Sequence, residues 1–304
     1  MKSSKRILAL LLAIVFIAGA APPAFAAAGD PGEDSSGGAA GLCLVEDAAG
    51  LAAPTALTPD YTLNDADGGW ADGEIKLDDA GDELILLADS GPLAPVKISV
   101  TAPSGSSVTI TGRVGVTYEN LYMEVLSDNL TLYLENLNIK APEGKWGGNN
   151  GYRGLQFKSD TDYACITISA EGNCVIEGGD YLTASGGGGY GGTGYSSSIK
   201  TGPSVKGLTL HTAGDGQIQF IGGDGKWAGL GVNTPGAIIE ADTVVQAGNA
   251  EATESSSGMQ ISGDLTIKNK LSVYGGGVAA ADVNGGTGLV FGDGGSLTFE
   301  SGGS

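Results

Sequence analysis

Basic residues are scarce in this chain of 304: 15 Lys and Arg stand against 35 Asp and Glu, a formal net charge of −20. That balance excludes a nucleic-acid partner, whose phosphates demand a basic surface. Histidine is rarer still. The single one, His211 in "LTLHTAG", falls at an outward strand position with no recognisable partner and reads as surface decoration rather than a general base. Three cysteines are an odd number for an exported chain, and no CxxC or Cys/His spacing points to zinc. Cys165 and Cys174, in "ACITISAEGNC", have the option of bridging, although alternation turns Cys165 outward and Cys174 inward. Helical periodicity is missing too, because no window places apolar residues at i, i+3, i+4 and i+7 without a glycine through it.

Long apolar runs are absent except for one. "MKSSKR" followed by "ILALLLAIVFIAGA" and the small-x-small "AFA" at Ala24 to Ala26 has the form of an export signal, removed near Ala27. It is too short for a membrane span, and nothing later in the chain is long enough to act as one. The expected protein is therefore secreted, with a route to the cell surface but no membrane insertion. Losing the leader takes Lys2, Lys5 and Arg6 and no acid, which leaves the remainder more acidic. An acidic extracellular chain suits Ca²⁺, a hard ion that takes oxygen ligands. The same charge also keeps a β-rich protein soluble.

What the chain has in abundance is glycine, 54 residues of it, spaced between short alternating segments. Residues 27–60, with "GDPGEDSSGGAAG", carry little periodicity and read as a disordered linker. Residues 61–106 hold short strand candidates, "ELILLA" and "VKISV", with "SVTIT" following at Ser107, and read as a β entry or capping segment. From 107 to 304 one unit recurs: two alternating segments, a tight polar bend, a glycine-rich exit. Its forms include "LTLYLENLNI", "ITISAEGNCVIEGG", "LTLHTAGDGQIQFIGG", "LTIKNKLSVYGGG" and "LVFGDGGSLTFESGG". Period-two alternation puts Leu132, Leu134, Ile166, Ile168, Leu208, Leu210, Leu265 and Ile267, with their equivalents, on one inward face.

"GGD" at Gly178 recurs at Gly222, and "GKW" at Gly144 recurs at Gly225. These intervals fit two and four coils of roughly 20 residues, which predicts a right-handed parallel β-helix whose stacked coils share one core. A β-sandwich is the alternative, since its strands also alternate. In this reading "KNK" turns a corner and "GGG" lets the backbone leave the coil through conformations that other residues resist. The chain ends inside the repeat phrase, at "SLTFESGGS", which suggests a solenoid continuing beyond Ser304.

"NLTLYLENLNIKAP", "ITISAEGNCVIEGG" and "GMQISGDLTIKNKLSVYGGG" resemble the secreted carbohydrate-binding β-helix proteins of clostridia and related gut bacteria, whose coils look like those of polysaccharide lyases. The resemblance spans 107–304 and rests on repeat style. It implies binding of plant cell-wall polysaccharide and of calcium, and it assigns no individual residue.

The residues themselves nominate a binding site. Trp146 and Trp227 lie in matching loops, "EGKWGGNNGY" and "DGKWAGLGVN", beside Asn149 and Asn233; Tyr190 and Tyr195 lie in "SGGGGYGGTGYSSS". A flat ring stacks on a pyranose while an amide takes its hydroxyls. The opposing possibility is that these rings fold back over their own loops. For calcium the candidates are Asp180 and Asp224 after paired glycines, and Asp282 and Asn284 in "ADVNGGTG". Turn aspartates also satisfy backbone amides, and neither an EF-hand nor an RTX repeat is present. Catalysis has thinner support. Asp78 and Asp79, the adjacent acids of the folded region, read as solvated turn residues rather than a glycosidase pair. A lyase would need Arg113 or Arg153 facing an acidic pocket. The expected function is thus non-catalytic polysaccharide binding, with a surface adhesin or structural stalk as the alternative and a polysaccharide lyase third.

Overall fold

The computed structural model describes residues 61–63, 70, 73–147, 150–159, 164–181, 192–196, 208–227, 229–254, 257–277, 286–292 and 294–304. The expected signal segment and linker lie outside them. Three long sheets, every pairing parallel, form a β-helix. The first sheet runs through Glu74–Leu77, Val96–Val100, Leu121–Val125, Leu155–Ser159, Gly192–Ser196, Val232–Thr234, Met259–Ile261 and Leu289–Phe291. The second runs through Tyr61–Leu63, Glu83–Leu86, Ser107–Thr111, Leu130–Glu135, Ala164–Glu171, Leu208–Ala213, Gly236–Ile239, Leu265–Ile267 and Leu297–Phe299. The third takes Thr117–Glu119, Asn138–Lys140, Asn173–Glu177, Gln217–Ile221, Asp242–Gln246 and Leu271–Tyr274. Each full coil visits them in that order, and the segment 61–106 already contributes strands to the first two. All-parallel pairing between successive coils rules out the β-sandwich, whose sheets are antiparallel.

Alternation builds the core as expected. On the second sheet Val108, Leu132, Ile168, Thr212, Ile239 and Ile267 stand in one inward row, each beside the next. The apolar members of that row are at most 4% exposed. Burying such a side chain stabilises the fold by roughly 1.5–3 kcal/mol, and no coil can do it alone. Thr212 is the polar intruder; its hydroxyl meets that of Thr243 at 3.0 Å, and Thr243 donates to Ala241 O. At the edge of the second sheet Leu297 and Phe299 are inward in register but exposed, because among the described residues no further strand stacks on them. "KNK" does turn the corner between the second and third sheets.

The first coils step as predicted, Glu74 standing beside Lys97 and Thr117 beside Asn138. Later coils carry insertions. Asn173 stands beside Gln217 and Asp180 bonds Asp224, so the interval of 44 between the two "GGD" phrases is one coil rather than two. Likewise Asn138 pairs with Val175 and Asn173 with Gln217, so the two "GKW" phrases are two coils apart rather than four.

Candidate functional site

The corner after the third sheet collects several of the nominated residues. Asp180 Oδ1 accepts the Asp224 N–H at 2.7 Å, and Asp224 Oδ1 accepts the Asn249 N–H at 2.6 Å and its Nδ2 at 3.2 Å. Asp180 Oδ2 lies 3.0 Å from Lys140 Nζ, which also meets Glu177 at 2.9 Å. Burial works against the Lys140 charge, but Glu177 and Asp180 outweigh it and push the ammonium above the usual lysine value. These aspartates form a ladder that ties each coil's corner to the next. Among the described residues no group of three His, Cys, Asp or Glu side chains converges to hold a metal ion.

Both "GKW" phrases are short strands leaving this same corner: Gly144 donates to Asp180 O, Tyr181 to Asp224 O and Gly225 to Asn249 O. They differ in pairing. Lys145–Gly147 pairs antiparallel with Asn150–Gly151 of its own loop, whereas Gly225–Trp227 pairs in parallel with Ala250–Glu254. The side chains of Trp146 and Trp227 lie outside what is described, as do Asn149, Tyr190, Asp282 and Asn284. Tyr195 is placed by its backbone, on the first sheet beside Lys158. Asn233 is also on the first sheet, half-buried at an outward position.

The outer face of the first sheet holds a recess lined by none of the residues nominated above for binding. Lys97, Tyr122, Met123, Glu124, Arg153 and Gln156 line a shallow recess of about 100 Å³. Strand alternation projects Lys97, Tyr122, Glu124 and Gln156 from three adjacent strands, with Lys97 beside Tyr122 and Glu124 beside Gln156. Tyr122 packs against Tyr152 edge to face, ring centres 5.2 Å apart and planes at 62°. Burial, then the neighbouring Tyr152, pushes the Tyr122 phenol above its usual value. Lys97 lies 2.9 Å from Glu74 and 3.3 Å from Glu124. Its hydrogen bond to Glu74 holds the ammonium above the ordinary lysine value and the Glu74 carboxyl below the ordinary carboxylate one. Gln156 is 5% exposed, yet its Oε1 has no hydrogen-bond partner among the described residues. A buried acceptor left in that state costs about 1–3 kcal/mol, a cost that a donor reaching it would offset. The sequence signal was available: "LYMEV" and "LQFKS" each alternate apolar with polar residues, and their outward members fall in register once the coils are aligned.

His211 stands at an outward register position but is not surface decoration: it is 5% exposed, with its Nε2 2.9 Å from Glu240 Oε2 and its Nδ1 3.4 Å from Thr167 Oγ1. The approach to Glu240 is close without the alignment of a hydrogen bond at Nε2. Burial raises the Glu240 carboxyl, but Lys268 at 3.0 Å and His211 reverse this and hold it below its usual value. Cys165 and Cys174 do not bridge. Cys165 is disulfide-bonded and 5% exposed, while Cys174 is a buried free thiol. Asp78 and Asp79 are exposed turn residues. Asp79 N–H donates to Asp82 Oδ2 at 3.0 Å. Arg113 pairs with Asp89 and donates to Leu87 O, while Arg153 lines the recess.

No protein-family model matches this chain, and neither a curated protein nor a solved structure matches it.

Proposed function

We propose that this is an exported, non-catalytic polysaccharide-binding β-helix. The observation that carries the reading is the recess beside Tyr122 and Tyr152, where Gln156 Oε1 is buried without a hydrogen-bond partner among the described residues. Two aromatic rings beside polar groups suit a pyranose, whose one face is apolar and whose rim is hydroxyl. The recess is smaller than a typical small-molecule pocket, which favours a chain lying across the face over a ligand swallowed whole. The repeat phrases shared in style with secreted carbohydrate-binding β-helices support the same class. Trp146, Trp227, Tyr190 and Tyr195 are proposed as further stacking rings, with Asn149 and Asn233 as hydroxyl partners. Calcium is proposed to stabilise the acidic turns at Asp180, Asp224, Asp282 and Asn284.

The test is retention of the folded protein on insoluble cellulose, xylan and pectin, with calcium and with chelator, beside a Trp146→Ala, Trp227→Ala double variant. Retention on at least one polysaccharide is expected, weakened in the double variant and reduced by chelator. A folded sample retained on none sinks the reading and makes the adhesin or stalk the working function. Release of unsaturated uronate from pectin, followed by absorbance, would instead reveal a lyase using Arg153.

A further inference from the structure

We infer that the recess takes a neutral glycan chain, laid along the solenoid axis over the outward row of the first sheet. This rests on the carbohydrate reading above and names the ligand class and its direction. Charge decides the class. Lys97 is already shared between Glu74 and Glu124 at 2.9 and 3.3 Å, and Arg153 too has a partner. A uronate carboxylate would meet a lysine already shared between two carboxylates, beside Glu124 and on a chain of net charge −20. The buried Gln156 Oε1 requires a donor, which a sugar hydroxyl supplies.

Register decides the direction. Glu124 stands beside Gln156, Gln156 beside Thr193, Thr193 beside Asn233 and Asn233 beside Gln260. This register crosses five coils, with Glu124, Gln156, Asn233 and Gln260 at outward positions. Successive strands are about 4.8 Å apart, so Asn233 lies roughly 10 Å and Gln260 roughly 14 Å from Gln156 along the axis. An amide offers both a donor and an acceptor to hydroxyls. A disaccharide seated at Gln156 stops short of Gln260; an extended hexasaccharide covers the row.

The experiment is calorimetric titration of the full chain with cellobiose, cellohexaose, xylohexaose and hexagalacturonate, repeated on Gln156→Met and on an Asn233→Ala, Gln260→Ala double variant, all checked for fold by circular dichroism. A neutral hexasaccharide is expected to bind about tenfold or more tighter than hexagalacturonate. The double variant should weaken the hexasaccharide about tenfold and leave the disaccharide unchanged; Gln156→Met, which keeps the volume, should weaken both. Equal or tighter binding of hexagalacturonate, or a double-variant effect independent of length, overturns this inference and leaves the carbohydrate reading standing. Neutral binding untouched by Gln156→Met also overturns it, by moving the site elsewhere. No binding of any of the four sugars by folded protein removes both.

Discussion

Tyr118 has no exposed surface, and its hydroxyl donates to Leu86 O at 2.8 Å while accepting the Arg113 N–H at 3.1 Å. It is a side chain from the third sheet reaching across the coil to satisfy backbone groups elsewhere. Tyr118→Phe keeps the ring and strands both groups, so it should lower unfolding free energy by about 1–3 kcal/mol, read from the urea midpoint. A Phe variant as stable as the parent would show that water replaces the hydroxyl. The Glu74–Lys97 pair gives a second residue-level test, with opposite signs at the two ends of the pH scale. The Glu74 carboxyl is lowered by folding, so its contribution is present above about pH 4.3 and is lost as pH falls through its lower folded value. The Lys97 ammonium is raised, so its contribution is complete below about pH 10.4 and is lost as pH rises beyond its higher folded value. Glu74→Gln should flatten the acid limb of the melting temperature against pH and remove part of the alkaline one. Unchanged limbs would mean that solvent screens the pair completely.

The strands were readable because alternation is a local property; the glycine exits were readable in position but not in cause. Gly179, Gly223, Gly248 and Gly276 stack in consecutive coils, and none has a positive φ. What they provide is the missing Cβ. A Cβ on Gly223 would sit 2.2 Å from Gly179 O, and one on Gly248 would sit 2.1 Å from Gly223 O. Gly223→Ala must push two coils apart and should destabilise by about 1–3 kcal/mol or more, measured by thermal or urea unfolding. A neutral result would mean that the column is loose. Conformational freedom is used elsewhere, and by asparagine as well: Asn120, Asn129 and Asn136 take positive φ at the bends between strands. Coil length failed for a related reason. An insertion between strands leaves the alternation of each strand intact, so "GGD" repeating after 44 residues looks the same for one long coil as for two short ones. Only the pairing partner separates them.

For the molecule as a whole, three faces stand outward, and binding is proposed for the first. The alternation of that face was legible in the sequence, but its assembly was not, because Lys97, Glu124, Arg153 and Gln156 come from different coils and meet only through register. Motif reading favoured the tryptophan loops instead, which were conspicuous for repeating a phrase. The second and third sheets carry exposed rings of their own, Tyr133 and Tyr274, so an aromatic on a strand is not by itself a site. What distinguishes Tyr122 is company: a second ring at 5.2 Å, an ion-pair network and an unpartnered buried amide oxygen. The most direct measurement is affinity electrophoresis through gels containing soluble xylan or hydroxyethylcellulose, comparing the parent with Tyr122→Ala and with Tyr133→Ala. Retardation of the parent and of Tyr133→Ala, lost in a folded Tyr122→Ala, is the predicted result. Retardation lost equally in both variants, or kept in both, would contradict the assignment of binding to the first sheet.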